Sequence, residues 1–589
     1  MNDKHKDEMR QLYTRWGQTL DKNHPHCEYP RPQMKRQEWL CLNGIWEYAI
    51  QEATEKEPSN YDGEIVVPFS PESLLSGVGR QLLPRQMLWY RRIIEFENSN
   101  GRRILLHFGA VDQCCMVFLN GIRVGEHNGG YWPFFFDITE LVRQGDNTLV
   151  ICVTDDSDTG KQAYGKQKLK RGGIWYTAQS GIWQTVWAEY VPFEYIRSLR
   201  ITPSYHESTV DFELDWVGSA LPESIISIYA NGKLETEEHF CSQKVTIKLE
   251  GFRSWSPDDP FLYTVRIDAG KDSVESYFGM REFSVMHDEN GHARLALNGK
   301  PIFQTGLLDQ GYWSDGLYTA PSDEAIIWEL TEIKRMGFNM LRKHIKIEPL
   351  RWYYHCDRLG IIVWQDFVSG GGPYNPIVTQ WLPFINVHLH DNHYRCFGRS
   401  STEGRAIFEA DMKNTVMLLY NTVSIAAWVP FNEGWGQFDA CLITEKLRKI
   451  DSSRLIDSAS GWHDQHCGDF QSRHVYYKRY RLKPDRYDRI HALTEFGGYS
   501  CPIEGHMASD KLFGYRMYAN TQSLTTAFDA LYRSEVLPSV QLGLSASIYT
   551  QVSDVEDEIN GLFTYDRASI KLDSKIVSQI NAELRKLGE

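Results

Sequence analysis

The stretch Ser424-Ile-Ala-Ala-Trp-Val-Pro-Phe-Asn-Glu433-Gly-Trp decides the fold. Ser424 to Val429 is a short run of small and apolar residues stopped by Pro430, and it reads as a buried strand. Asn432 and Glu433 follow where a parallel strand opens onto its loop. A carboxylic acid at that end of a strand occupies the catalytic position of a (β/α)8 barrel. His491-Ala-Leu-Thr-Glu495-Phe-Gly-Gly repeats the pattern, an apolar run ending in a glutamate and then glycines. Two strand-end glutamates on one barrel point to the paired-carboxylate chemistry of glycoside hydrolysis. The plainer alternative is a helix-start residue favoured by the dipole.

Outward from these motifs, residues 287–589 carry eight strand-like runs alternating with helical ones, which implies βα units around a parallel sheet. The runs are Ile302–Leu307, Asn339–Arg342, Ile361–Trp364, Ser424–Val429, Arg454–Asp457, His474–Tyr477, Ala492–Thr494 and Leu544–Thr550. Helices are expected over Ser322–Met336, with Ser322 as N-cap and Gly337 as C-cap, and over Phe438–Lys449. The insertion Ser369–Gly404, opening with Gly370-Gly-Gly-Pro, reads as a mobile lid or as static packing.

Upstream the texture is β. Residues 1 to about 35 form a polar arm with Pro25, Pro30 and Pro32. Short aromatic and β-branched segments then alternate with turns, and Asn43-Gly44 and Asn120-Gly121 read as hairpins. Arm and β-sandwich together take residues 1–192. A second all-β unit over 193–286 suits an immunoglobulin-like sandwich.

Composition bounds the partners. The chain has 589 residues, 42% hydrophobic and 13% aromatic, enough for several large cores. A net charge of −14 repels nucleic acid and anionic membranes, so neither is expected. The first residues lack an apolar signal segment, and no long apolar run marks a membrane span. Eleven cysteines without a zinc spacing are read as free thiols in a reducing cytoplasm. His388, His390, His393 and Asp391 are spaced for a loop rather than a metal site, and no cofactor is expected. Asp155-Asp-Ser-Asp-Thr-Gly160 fails as a calcium loop because its twelfth place is Lys166.

Several motifs together resemble glycoside hydrolase family 2, which includes β-galactosidases, β-glucuronidases and β-mannosidases. They are Leu42-Asn-Gly-Ile-Trp, Leu119-Asn-Gly, His127-Asn-Gly-Gly-Tyr-Trp-Pro-Phe and Ser180-Gly-Ile-Trp-Gln-Thr-Val-Trp, then Asn432-Glu433-Gly and Thr494-Glu495-Phe-Gly. The resemblance implies the order jelly roll, immunoglobulin-like domain, TIM barrel. It implies Glu433 as the acid/base and Glu495 as the nucleophile of a retaining, exo-acting β-glycosidase on small glycosides or oligosaccharides. It makes Asn432 the ligand of a sugar 2-hydroxyl, Tyr476 (with Tyr477 as rival) the partner of the nucleophile, and Arg342 a cation keeping Glu495 ionised. Asp309, His344, Trp462, His463, Asp464 and Tyr549 lie at expected strand ends or in the loops after them, as sugar contacts or as packing. Family members are often dimers or tetramers, so a homo-oligomer is open.

Three departures bear on the sugar. β-Glucuronidases of that family carry Asn-x-Lys-Gly after the last strand, where this chain has Glu558-Ile-Asn-Gly561. Its β-galactosidases carry an aspartate where this chain has Trp175. The second-strand motif is Arg342-Lys-His-Ile-Lys346, a cluster read as a grip on a sugar carboxylate or as internal ion pairs. β-Galactosides and β-galacturonides are the favoured substrates. β-Glucuronides, β-glucosides and β-mannosides are alternatives, as is a non-catalytic carbohydrate-binding protein.

Overall fold

The computed structural model describes residues 9–588 apart from 54, 55, 98, 100 and 386. The first sandwich faces a sheet of Trp39–Cys41, Val186–Val191, Arg103–Phe108 and Phe134–Asp137 against a six-stranded one built on Gly44–Glu52, Gln86–Glu95 and Asp146–Thr154. Trp46, Tyr90, Val117 and Ile151 fill the space between. The second sandwich pairs three strands with four. In its strand Thr209–Val217 every second residue is buried, so Val210, Phe212, Leu214 and Trp216 face the core.

Asn120-Gly121 makes the expected hairpin, both residues having positive φ, between Cys114–Leu119 and Ile122–Asn128. Asn43-Gly44 does not. The strands on either side of it belong to opposite sheets. Asn43 accepts from the Val186 amide and donates to the carbonyls of Pro25 and His26. The Asn23 carbonyl lies 2.6 Å from where a Cβ on residue 44 would stand, so glycine is needed for close approach.

Eight parallel strands form the barrel. They are β1 (Gln304–Asp309), β2 (Met340–Lys343), β3 (Ile362–Asp366), β4 (Ile425–Val429), β5 (Leu455–Ile456), β6 (Phe470–Val475), β7 (Ile490–Gly497) and β8 (Leu544–Thr550). Between β5 and β6 the ring closes through Asp469, whose amide donates to the Ile456 carbonyl at 2.8 Å. Ser322 caps the helix Asp323–Arg335 by accepting from the Ala325 amide. A second helix spans Ala440–Ile450. Among the described residues β5 and β6 lead into loops instead of helices, which leaves one side of the rim open. The floor is covered by the hairpin Phe283–His287 and Ala293–Leu297, whose Phe283, Leu295 and Leu297 pack on Met340, Ile362 and Trp364.

The arm crosses the other units. Thr14 bonds Asp315, and Arg36 bonds Asp272 and Glu189. The insertion after β3 is packed. The Ser369 carbonyl accepts from the amides of Tyr164 and Gly165 in the first sandwich. The thiols need one correction, because Cys441 and Cys467 form a disulfide across 5.5 Å of Cα separation. They lie 26 residues apart, Cys441 in the helix Ala440–Ile450 and Cys467 in the loop after β5. Among the described residues no helix is long and apolar enough to cross a membrane.

Candidate active site

Glu433 and Glu495 meet at the C-terminal mouth of the barrel. Glu433 follows a two-residue extension of β4, Phe431–Asn432, paired with Ala459–Ser460. Its φ is +51°, a left-handed conformation unusual for a residue with a side chain, and its amide is held by the Ser460 carbonyl at 3.0 Å. Glu495 lies within β7. Both carboxyls are buried, 8% and 4% exposed.

Arg342 on β2 organises the floor of the site. Its fully buried guanidinium meets Asp366 through two bonds, at 2.9 and 3.0 Å. It also reaches Glu495 Oε1 at 3.2 Å and Asn432 Oδ1 at 2.8 Å. With its oxygen taken, Asn432 keeps a buried Nδ2 with no partner within the protein. That leaves a donor free for a ligand. Tyr476 donates a very short hydrogen bond to Glu495 and stacks on Tyr515, ring centroids 3.8 Å apart. The rival Tyr477 is 52% exposed and does not reach the glutamates.

The two carboxyls are tuned apart. Burial, and then the charge of Glu495, push Glu433 well above the usual carboxylate range. Burial raises Glu495 as well, but the Arg342 charge and the Tyr476 hydroxyl pull it back. Both are raised, Glu433 the further of the two, so a proton on the pair is favoured on Glu433 over Glu495.

His474 was not among the expected site residues. The sixth strand ends at Val475, so His474 stands at its active-site end and not at its start, opposite Glu495. A register shift between Arg473 and His474 re-aims its side chain. Its Nδ1 is 2.8 Å from Glu433 and 3.6 Å from Glu495. Burial and then Arg342 hold the ring neutral, its pKa far below the usual value. Arg342 can only donate, and it does so to Nε2 at 3.3 Å, so the proton sits on Nδ1 and points at Glu433. One atom from each of Glu433, His474 and Glu495 fits within 4.8 Å, the spacing of a metal site. The Arg342 guanidinium contacts both Glu495 and His474 there, so this donor set fits a metal poorly.

The first sandwich adds a wall that sequence motifs could not reveal, because it reaches across from another domain. Lys166 is 5% exposed. Its ammonium lies 3.4 Å from the Tyr176 hydroxyl and 5.8 Å from the Trp435 ring, and its charge acts on Glu433, Glu495 and His344. Tyr176 donates to Glu558 at 2.5 Å, and Trp175 packs on Trp435, centroids 5.0 Å apart.

The remaining expected residues divide. His344 bonds Asp366 at 2.8 Å, and Trp462 stands 6.2 Å from the His474 ring. Asp309 serves the interior, bonding Lys343 at 2.6 Å. Lys343 also bonds Glu348, and Lys346 bonds Glu348 and the carbonyls of Gly311 and Tyr318. The two lysines are thus paired internally, the second of the two readings the sequence left open for this cluster. His463 spends both ring nitrogens on the insertion, at Val378 and Leu389. Asp464 pairs with Arg489, and Tyr549 packs among Phe496, Phe528 and Tyr532. The structure does not bring these last three to the glutamates.

Two family models match the chain: "Glycosyl hydrolases family 2, sugar binding domain" over residues 84–187 and "Glycosyl hydrolases family 2" over residues 194–281. A β-galactosidase of Thermoanaerobacter pseudethanolicus is 27% identical over 367 residues, covering 56% of this chain and 46% of that protein. A putative β-glucuronidase of Formosa agariphila is 28% identical over 449 residues, covering 70% and 50%. The chain spans about half the length of these curated relatives. Among solved structures, a Ruminococcus gnavus β-glucuronidase superposes with a TM-score of 0.74 at 15% identity over 95% of this chain and 99% of its own. A β-galacturonidase from Eisenbergiella tayi bound to galacturonate gives 0.69 at 16%, over 95% and 100%. Two sandwiches, each matched by a family 2 model, thus stand in front of a barrel that carries two buried glutamates at its mouth. Residues 84–187 and 194–281 are similar to two domains of glycosyl hydrolases family 2, and the fold as a whole is that of the solved neighbours.

Proposed function

We propose that this protein is an exo-acting, retaining β-glycosidase that removes a terminal β-linked hexuronic acid. The observation that carries the retaining reading is the separation of the carboxyls. Donor atoms of Glu433, His474 and Glu495 all lie within 4.8 Å of one another. Retaining enzymes hold their carboxyls about 5–5.5 Å apart, and inverting ones about 6.5–9.5 Å, to admit a water. Glu495, kept ionised by Arg342 and Tyr476, attacks the anomeric carbon. Glu433 gives its proton to the leaving oxygen and the glycosyl–Glu495 ester forms. Glu433, now a base, takes a proton from water as the water attacks the same carbon and releases Glu495. Asn432 Nδ2 is placed to bond the sugar 2-hydroxyl. The loop bearing Lys166 and Tyr176 walls one side of the site, which supports action on a chain end.

Lys166 supports the uronic acid. Among the described residues no carboxylate lies within 4.0 Å of its ammonium, and it is buried beside the reacting groups. A substrate carboxylate would supply the missing counter-charge. Of the sugars favoured by the sequence this selects the β-galacturonide over the β-galactoside, with the epimeric β-glucuronide as the second reading. The names of the solved neighbours, β-glucuronidases and a β-galacturonidase, agree with a uronide.

The test is a panel of aryl β-glycosides (galacturonide, glucuronide, galactoside, glucoside and mannoside) with the parent, Glu495→Ala and Lys166→Met. The expected result is turnover of a uronide, lost in Glu495→Ala, with KM raised about tenfold or more in Lys166→Met. A galactoside preference untouched by Lys166→Met overturns the uronide reading. Silence across the panel favours a non-catalytic carbohydrate-binding protein.

A further inference from the structure

Beside the catalytic centre, a cavity of about 410 Å³ opens between the insertion after β3 and the loops after β5 and β6. This is the side of the rim where no helix follows the strands. His474, Tyr476 and Trp462 form its inner end, so it adjoins both carboxyls, Glu433 through His474 and Glu495 through Tyr476. Its outer wall is cationic: Arg473, Lys478, Arg479, Arg481 and Lys483 all line it, and no aspartate or glutamate does.

These charges are largely unspent. Arg479 is 4.0 Å from Glu535, and Lys478 donates to the Phe384 carbonyl at 2.5 Å. Among the described residues, Arg473, Arg481 and Lys483 have no carboxylate within 4.0 Å. Five cations in eleven residues, in a chain of net charge −14, would repel one another if nothing anionic came between them. The interior clusters of this protein behave differently, since Lys343 and Lys346 are neutralised by Asp309 and Glu348. Half-buried Trp462 and exposed Tyr477 offer ring faces on which a sugar can lie between the charges.

We propose that this cavity is the leaving-group subsite and that it binds an anionic saccharide, one bearing carboxylate or sulfate on the sugars released when Glu433 protonates the glycosidic oxygen. The inference rests on the retaining-glycosidase reading, because the acid marks the leaving-group side. Neither Lys166 nor Tyr176 lines this cavity. Guanidinium and ammonium groups at the mouth bind such anions by charge-assisted hydrogen bonds and draw them in from solution.

The test uses the aryl β-glycoside that the enzyme turns over, with trigalacturonate, 6-O-sulfated maltotriose and maltotriose as inhibitors. The comparison is between the parent and an Arg481→Ser/Lys483→Ser double variant, whose changes lie on exposed side chains. The expected result is inhibition by one or both acidic trisaccharides at concentrations about tenfold or more below maltotriose, weakened by salt. The double variant should lose about tenfold of that inhibition while its inhibition by neutral maltotriose stays as in the parent. Comparing the two acidic probes separates carboxylate from sulfate. Equal inhibition by all three probes, or unchanged inhibition of the variant, overturns the proposal. If no aryl glycoside is cleaved, the hydrolase reading has failed, and calorimetric titration of the same three probes decides this one.

Discussion

Nδ1 of His474 lies 2.8 Å from Oε1 of Glu433. The acid is thus held by a neutral ring whose other nitrogen faces Arg342. With its proton on Nδ1 the ring favours the ionised form of Glu433, in opposition to the burial that raises its pKa.

Replacing His474 by alanine removes that restraint. A general acid acts below its pKa, so the rate falls as pH rises through it. In His474→Ala the alkaline limb of kcat/KM should move to higher pH. A limb that moves down would mean that the ring accepts a proton from Glu433. A pH–rate profile on an activated aryl glycoside decides.

Glu433→Ala should slow turnover of poor leaving groups by about 10²–10⁴-fold. Dinitrophenyl glycosides need no protonation, so their first step should survive. Added azide should then capture the glycosyl–enzyme and release a β-glycosyl azide. Identifying that product by NMR checks both the role of Glu433 and the stereochemistry.

Arg342→Met strands the buried carboxyls of Asp366 and Glu495, and breaking such pairs costs about 3–5 kcal/mol. Burial already pushes Asp366 up to about 6, with Arg342 the opposing influence. A carboxyl raised in the folded state loses stability as pH climbs from its ordinary value through the raised one. The variant's Tm should therefore fall more at pH 7.5 than at pH 5. Equal falls at both would place the main cost elsewhere.

Lys343→Met leaves Asp309 and Glu348 without a shared cation. Thermal stability should drop by about 3–5 kcal/mol, while the ratio of uronide to galactoside kcat/KM stays constant. A shift in that ratio would return the lysine cluster to sugar recognition.

The barrel was legible because most of its strands are short apolar runs separated by helical or loop stretches. All eight expected runs overlap an observed strand, and Glu433 and Glu495 follow from their places at two ends. The sixth was displaced: Phe470 to Arg473 mixes polar and apolar residues, so aromatic Tyr476 and Tyr477 drew the assignment downstream and hid His474. Lys166 had no local signal, since its meaning comes from Ser369 anchoring its loop across a domain boundary. Asn43-Gly44 carried a true turn signal, but local chemistry does not say whether the strands beyond a turn pair or part. His463 and Asp464 were at the right strand end, yet the insertion and Arg489 claim them.

The most direct test of the account is to trap the covalent intermediate. The enzyme would be incubated with a 2-deoxy-2-fluoro aryl glycoside of the sugar it turns over, then digested and sequenced by mass spectrometry. Inactivation with one glycosyl unit on Glu495, and none in Glu495→Gln, is the predicted result. Turnover of the parent substrate with inversion at the anomeric carbon, or a label on another residue, would contradict it.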